Sequence, residues 1–118
     1  MAPHSTPFET LLVACQELLP RLQSRFAAYQ RAYFPERSPE FFCLELCGEA
    51  GELANLEKKI WKGIEVPPED VADEAADVLI ALVNYANARG IDLGTAVKAK
   101  VGIIEQTRLQ QASAHPGF

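Results

Sequence analysis

The sequence predicts an all-α fold, a bundle of about four helices. Three observations predict it. Helix start and stop signals recur along the chain, apolar residues between them recur at spacings of three and four, and no segment shows the period-two alternation of a strand. There is no internal repeat and no low-complexity tract.

The first helix opens at Thr6-Pro7-Phe8-Glu9, with Thr6 as N-cap, Pro7 at the first helical position and Glu9 three residues after the cap. Leu11, Leu12, Ala14, Cys15, Leu18 and Leu19 give it an apolar face. Pro20 is expected to kink or break the helix there. The pattern resumes with Leu22, Phe26, Tyr29 and Tyr33 and stops at Phe34-Pro35. A second start follows at Ser38-Pro39-Glu40, and this helix runs to Trp61 or Lys62, where Gly63 ends it. At 1.5 Å per residue it is about 35 Å long. Pro68-Glu69-Asp70 opens a third helix that runs to Arg89 and ends at Gly90. Asp92 caps a fourth, whose inner face carries Leu93, Val97, Val101 and Ile104 up to about Gln110. Residues 1–5 and 113–118 read as loose tails.

The chain has 118 residues, 48% apolar and 23% charged, which fits one soluble globular domain spanning 1–118. Helical subunits this small often complete their core by homo-oligomerisation. A net charge of −5 argues against a nucleic-acid polymer as partner, because phosphate backbones select basic surfaces. No apolar run approaches the roughly 20 residues that span a bilayer, so no membrane is implied. There is no basic-then-apolar leader at the start. The three cysteines, Cys15, Cys43 and Cys47, form no C-x-x-C pair and read as reduced, buried residues of a cytoplasmic protein.

The second helix is organised around Phe41 to Ala54, FFCLELCGEAGELA. Glycine apart, its polar residues are Glu45, Glu49 and Glu52, which form a single stripe at i, i+4 and i+7. The third helix repeats the design in VADEAADVLIALV, with Asp73, Glu74 and Asp77. The other sides are apolar or tiny, so protein is expected to surround both helices everywhere except along the acidic stripes. Gly48 and Gly51 weaken the helix and imply close approach of another helix or a ligand. No Lys or Arg lies between residues 38 and 57 or between 63 and 88. Like charges stacked without basic partners are unfavourable, more so beside apolar neighbours. Two solvated acidic faces are the plain alternative. The doubled design favours a shared anionic site facing a cation.

Carboxylates alone suit hard cations, Mg²⁺ or Mn²⁺. Zinc would want His or Cys, and the histidines, His4 and His115, lie in the tails. The Glu-x-x-His pairs of a di-iron bundle are absent. Mg²⁺ shares its shell with water and phosphates, which points to phosphate chemistry. Rim lysines for an anionic substrate are Lys58, Lys59, Lys62, Lys98 and Lys100, with Lys100 nearest an inner stripe.

Glu49-Ala50-Gly51-Glu52-Leu53, followed by Glu74-Ala75-Ala76-Asp77-Val78-Leu79, resembles the E-x-x-E … E-x-x-D signature of MazG-like nucleotide pyrophosphohydrolases. The likeness covers roughly residues 38–108. It implies a MazG-like all-α bundle, completed as a homodimer or homotetramer. It also implies Mg²⁺-dependent hydrolysis of nucleoside triphosphates, often deoxynucleotides, to monophosphate and pyrophosphate. By position Glu49, Glu52, Glu74 and Asp77 are the implied metal ligands. Two places depart from the pattern. Gly48 stands where many members carry a further Glu, so Glu45 one turn earlier joins Glu49 as a candidate to activate water. Ile104 stands where many carry an Asn four residues after the lysine matched by Lys100. Lys59 and Lys100 are candidates for the phosphates, and Phe34, Phe41 or Phe42 for stacking on the base, with Phe42 favoured. The rivals are a pyrophosphohydrolase acting on phosphoribosyl-ATP or modified nucleotides, and a non-catalytic helical scaffold whose acidic groove takes a basic partner.

Overall fold

A computed structural model describes residues 5–114, and the expectations for His4, His115 and most of both tails fall outside them. The described residues form four α-helices and no strand: α1 (Pro7–Tyr33), α2 (Pro39–Trp61), α3 (Pro68–Arg89) and α4 (Leu93–Ala114). Their boundaries follow from local chemistry. Thr6 Oγ1 accepts from the Glu9 amide at 3.1 Å and donates to Glu9 Oε1 at 3.0 Å, so cap and acid satisfy one another. Ser38 Oγ accepts from the Phe41 amide at 3.3 Å. Asp92 Oδ1 accepts from the Thr95 amide at 3.2 Å. Gly63 and Gly90 sit at φ +83° and +74°, the left-handed region in which a side chain would be strained. No helix among the described residues is long and apolar enough to cross a membrane.

The chain packs as two units. One joins residues 5–25 to 92–114. In it Gly94 lies against α1, where a Cβ would stand 3.2 Å from the Cys15 carbonyl oxygen and 3.2 Å from the Pro20 ring. Gln23 is buried and its Oε1 accepts from the Leu93 amide at 2.8 Å, satisfying a donor at the start of α4.

Of the kink or break expected at Pro20, the break does not occur, and α1 continues through it. The Arg21 Nε donates to the Glu17 carbonyl at 3.1 Å, and the proline ring lies against the space that Gly94 leaves open. Gly94→Ala should therefore lower stability by about 1–3 kcal/mol, because backbone and a proline ring cannot yield as a flexible side chain would. A denaturant melt of the variant measures it, and an unchanged midpoint would contradict the packing account.

The second unit, Phe26–Ile91, holds the end of α1 with α2 and α3. Helices α2 and α3 pack along their length. They run antiparallel: Arg89 at the end of α3 meets Glu40 at the start of α2 at 3.5 Å, while Glu49 meets Glu74 and Asp77 midway. Among the residues of this unit, Phe42, Ala81, Val83 and Ala86 are buried, and Val83 is fully enclosed.

Two expectations about burial need correction. Cys43 and Cys47 are exposed, and of the three cysteines only Cys15 is buried. The far side of α2 is open: Leu44 is 73% exposed and Trp61 89%. On that open side nothing within the chain lies within 4 Å of a Cβ placed on Gly48 or Gly51. The physical reason is the same in each case, since within this unit α2 is covered along the α3 side and the sequence reads as though it were covered all round. Helix α4 also runs past Gln110 to Ala114, through good helix formers with no breaker, and its Ile104 is exposed.

Candidate functional site

Helical periodicity and antiparallel packing together build the site. On α2, Glu49 and Glu52 share a face, and on α3 so do Glu74 and Asp77. The hairpin brings the two faces together. Carboxylate oxygens of Glu49, Glu74 and Asp77 all lie within 4.8 Å of one another, and each of the three residues is half-buried. Glu52 is more exposed but borders the group, close enough to share hydrogen bonds with Glu49 and Glu74. The acidic stripes of the two helices thus converge.

Such crowding is unfavourable for bare carboxylates. The hydrogen bond with Glu49 raises the Glu74 pKa to about 7, and burial and the neighbouring Glu52 add to it. For Glu49 the bond to Glu74 pulls downward, but burial and the charges of Glu52 and Asp77 outweigh it and the net shift is upward. One proton held between Glu49 and Glu74 is the simplest relief. Even so, Glu49 Oε2 and Glu74 Oε2 are buried with no hydrogen-bond partner. Buried polar atoms are nearly always satisfied. Two orphaned oxygens on facing carboxylates thus lie beside a third carboxylate, in a group that could hold a metal ion.

The other residues singled out from sequence lie around this group or away from it. Glu45 is exposed one turn before Glu49, outside the cluster, and Asp73 is exposed beside Glu74. Phe42 is buried at 5% exposure, edge-on to Phe41 with ring centroids 5.5 Å apart. Phe41 in turn carries the Arg37 guanidinium 4.8 Å above its ring. Lys58, Lys59 and Lys62 are exposed at the end of α2. Lys98 and Lys100 belong to α4 in the other unit, where Lys98 Nζ donates to Gln16 Oε1 at 3.1 Å.

Two residues were missed. Gln23 gave no signal, because its partner lies seventy positions away. Asn84 did give one. It is buried, and it interrupts the apolar run that follows Asp77 at a spacing of seven, on the stripe that Asp77 occupies.

Comparison with protein-family models, curated proteins and solved structures found no match for the chain.

Proposed function

We propose that the chain is a divalent-metal-dependent nucleoside triphosphate pyrophosphohydrolase of the MazG-like kind, converting a (deoxy)nucleoside triphosphate to the monophosphate and pyrophosphate. One observation carries the proposal: Glu49, Glu74 and Asp77 meet within 4.8 Å, and two of their oxygens are buried without partners. Glu52 beside them supplies the fourth carboxylate of the E-x-x-E … E-x-x-D pattern. Mg²⁺ or Mn²⁺, when bound, offsets phosphate charge and acidifies water. The chain's own residues do the rest. Glu49, Glu52, Glu74 and Asp77 would hold the cation. Glu49, or Glu45 one turn earlier, accepts the proton of the water that attacks the α-phosphorus. The bond from the α-phosphorus to the bridging oxygen breaks, and pyrophosphate leaves with that oxygen. Lys59, at the end of α2, is the lysine proposed to steady it.

The proposal includes assembly as a homodimer or homotetramer. Leu44, Gly48 and Gly51 form one stripe at i, i+4 and i+7 on the open side of α2, an exposed leucine followed by two positions without side chains. Small residues of this kind let a second helix approach closely. Gly51→Leu tests it with opposite signs. It meets nothing within the chain and improves helix propensity by up to about 1 kcal/mol, yet it blocks a close-packed neighbour. Light scattering after size exclusion should show a multimer for the wild type and a smaller, still helical species for Gly51→Leu. An unchanged mass would count against this face.

The activity is tested by incubating the protein with each dNTP and NTP plus Mg²⁺ and assaying pyrophosphate, with phosphoribosyl-ATP and oxidised nucleotides as further arms. Release from the standard nucleotides supports the proposal. Release from a further arm alone redirects the substrate. Folded protein that releases nothing, and whose melting Mg²⁺ does not change, is instead a scaffold with an acidic groove.

A further inference from the structure

We propose that the cavity within the Phe26–Ile91 unit, bounded by the end of α1, the start of α2 and the end of α3, is a nucleobase pocket in which Asn84 reads the base edge. The inference rests on the nucleotide reading above and specifies where that substrate's base goes. The cavity has a volume of about 850 Å³, enough for a nucleoside, and Phe34, Arg37, Phe42, Asn84 and Asn87 line it.

Asn84 is the informative residue. It is 8% exposed, and its side-chain amide has no hydrogen-bond partner among the described residues. Lining the cavity without a partner in the fold, this amide is free to pair with a ligand that has a matching edge. The amide presents a donor and an acceptor side by side, and most nucleobase edges carry the complementary pair. Flat apolar surface is at hand. Phe34 is 47% exposed, and its ring is fixed edge-on by Tyr29, with centroids 5.5 Å apart. Bases stack on such rings whatever their identity.

The placement fits a nucleotide laid along the hairpin. Asn84 follows Asp77 by seven residues, and Phe42 precedes Glu49 by seven. Both therefore lie two turns, about 10 Å, from the carboxylates on the same helix faces. A pentose separates the α-phosphorus from the base, and it bridges the interval between cluster and cavity.

The test has two arms. In the first, wild-type protein in EDTA is titrated with nucleoside monophosphates while the side-chain amide signals of Asn84 are followed by NMR. These signals should move on binding, and signals that stay fixed at saturating monophosphate would overturn the pocket. In the second, hydrolysis by Asn84→Asp is compared with wild type. A carboxylate only accepts, so KM should rise about tenfold for adenine, cytosine and uracil nucleotides. It should rise least for guanine nucleotides, whose edge offers two adjacent donors, with kcat nearly unchanged. Asn84→Ser, which adds no charge, should raise KM for all bases alike and guards against misfolding of the first variant. Equal KM ratios across bases in wild type and Asn84→Asp, with activity intact, would sink the pocket and leave the proposed activity standing. Amide signals that move with monophosphates in a protein that hydrolyses nothing would do the reverse.

Discussion

Asp77→Asn is expected to abolish turnover while raising the melting temperature of the metal-free protein. The two effects have one cause. Glu49, Glu74 and Asp77 crowd their carboxylates within 4.8 Å, and the charges of Glu52 and Asp77 raise the Glu49 pKa against the pull of the Glu74 bond. Neutralising Asp77 removes one of the repelling charges, so the apoprotein gains. The same change removes a cation ligand. Metal assistance is worth several kcal/mol of transition-state stabilisation, and each 1.36 kcal/mol is tenfold in rate, so pyrophosphate release should fall by about 10²–10³-fold or more. Glu52→Gln should likewise abolish turnover with helicity intact. Glu57→Gln, on the same helix but outside the cluster, should change neither quantity. An Asp77→Asn protein that melts lower than wild type in EDTA would mean the carboxylates already support one another and need no cation.

The pH dependence of stability should also run opposite to that of an ordinary salt-bridged acid. Glu74 holds its proton to about pH 7 in the folded chain and near 4.5 when unfolded. Between those values the native state binds more protons than the unfolded state, so stability falls as pH rises. The contribution is complete below about 4.5 and gone above about 7. In EDTA the melting temperature should therefore drop between pH 5 and pH 8, and Glu74→Gln should flatten the profile. Mg²⁺ should reverse the trend, because its ligands must be deprotonated and its binding therefore strengthens up to about pH 7. Scanning fluorimetry across this range, with and without Mg²⁺, reads both effects. A metal-free profile that rises through pH 5–8 would contradict the shared proton.

The parts of this fold that were legible in the sequence are those written in neighbouring residues. Ser38-Pro39, Gly63 and Gly90 place the ends of α2 and α3 because caps and left-handed glycines act within one turn. The acidic stripes were legible for the same reason, and α2–α3 packing then brings them together. What escaped depends on contacts distant in sequence. Pro20 reads as a kink or break, and α1 continues through it with the proline ring packed beside Gly94. Gln23 finds the Leu93 amide across seventy residues. The proton on Glu74 and the unpaired amide of Asn84 arise from what faces them across space. Leu44, Cys43 and Cys47 read as buried because apolar residues usually are, and in a single chain they are exposed.

The most direct measurement is a crystal structure grown with Mn²⁺, with anomalous diffraction used to locate the ion. The account predicts one or more anomalous peaks ligated, at about 2.0–2.2 Å, by oxygens of Glu49, Glu52, Glu74 and Asp77. A map at saturating Mn²⁺ with no peak between α2 and α3, and with these carboxylates turned to solvent, would contradict it.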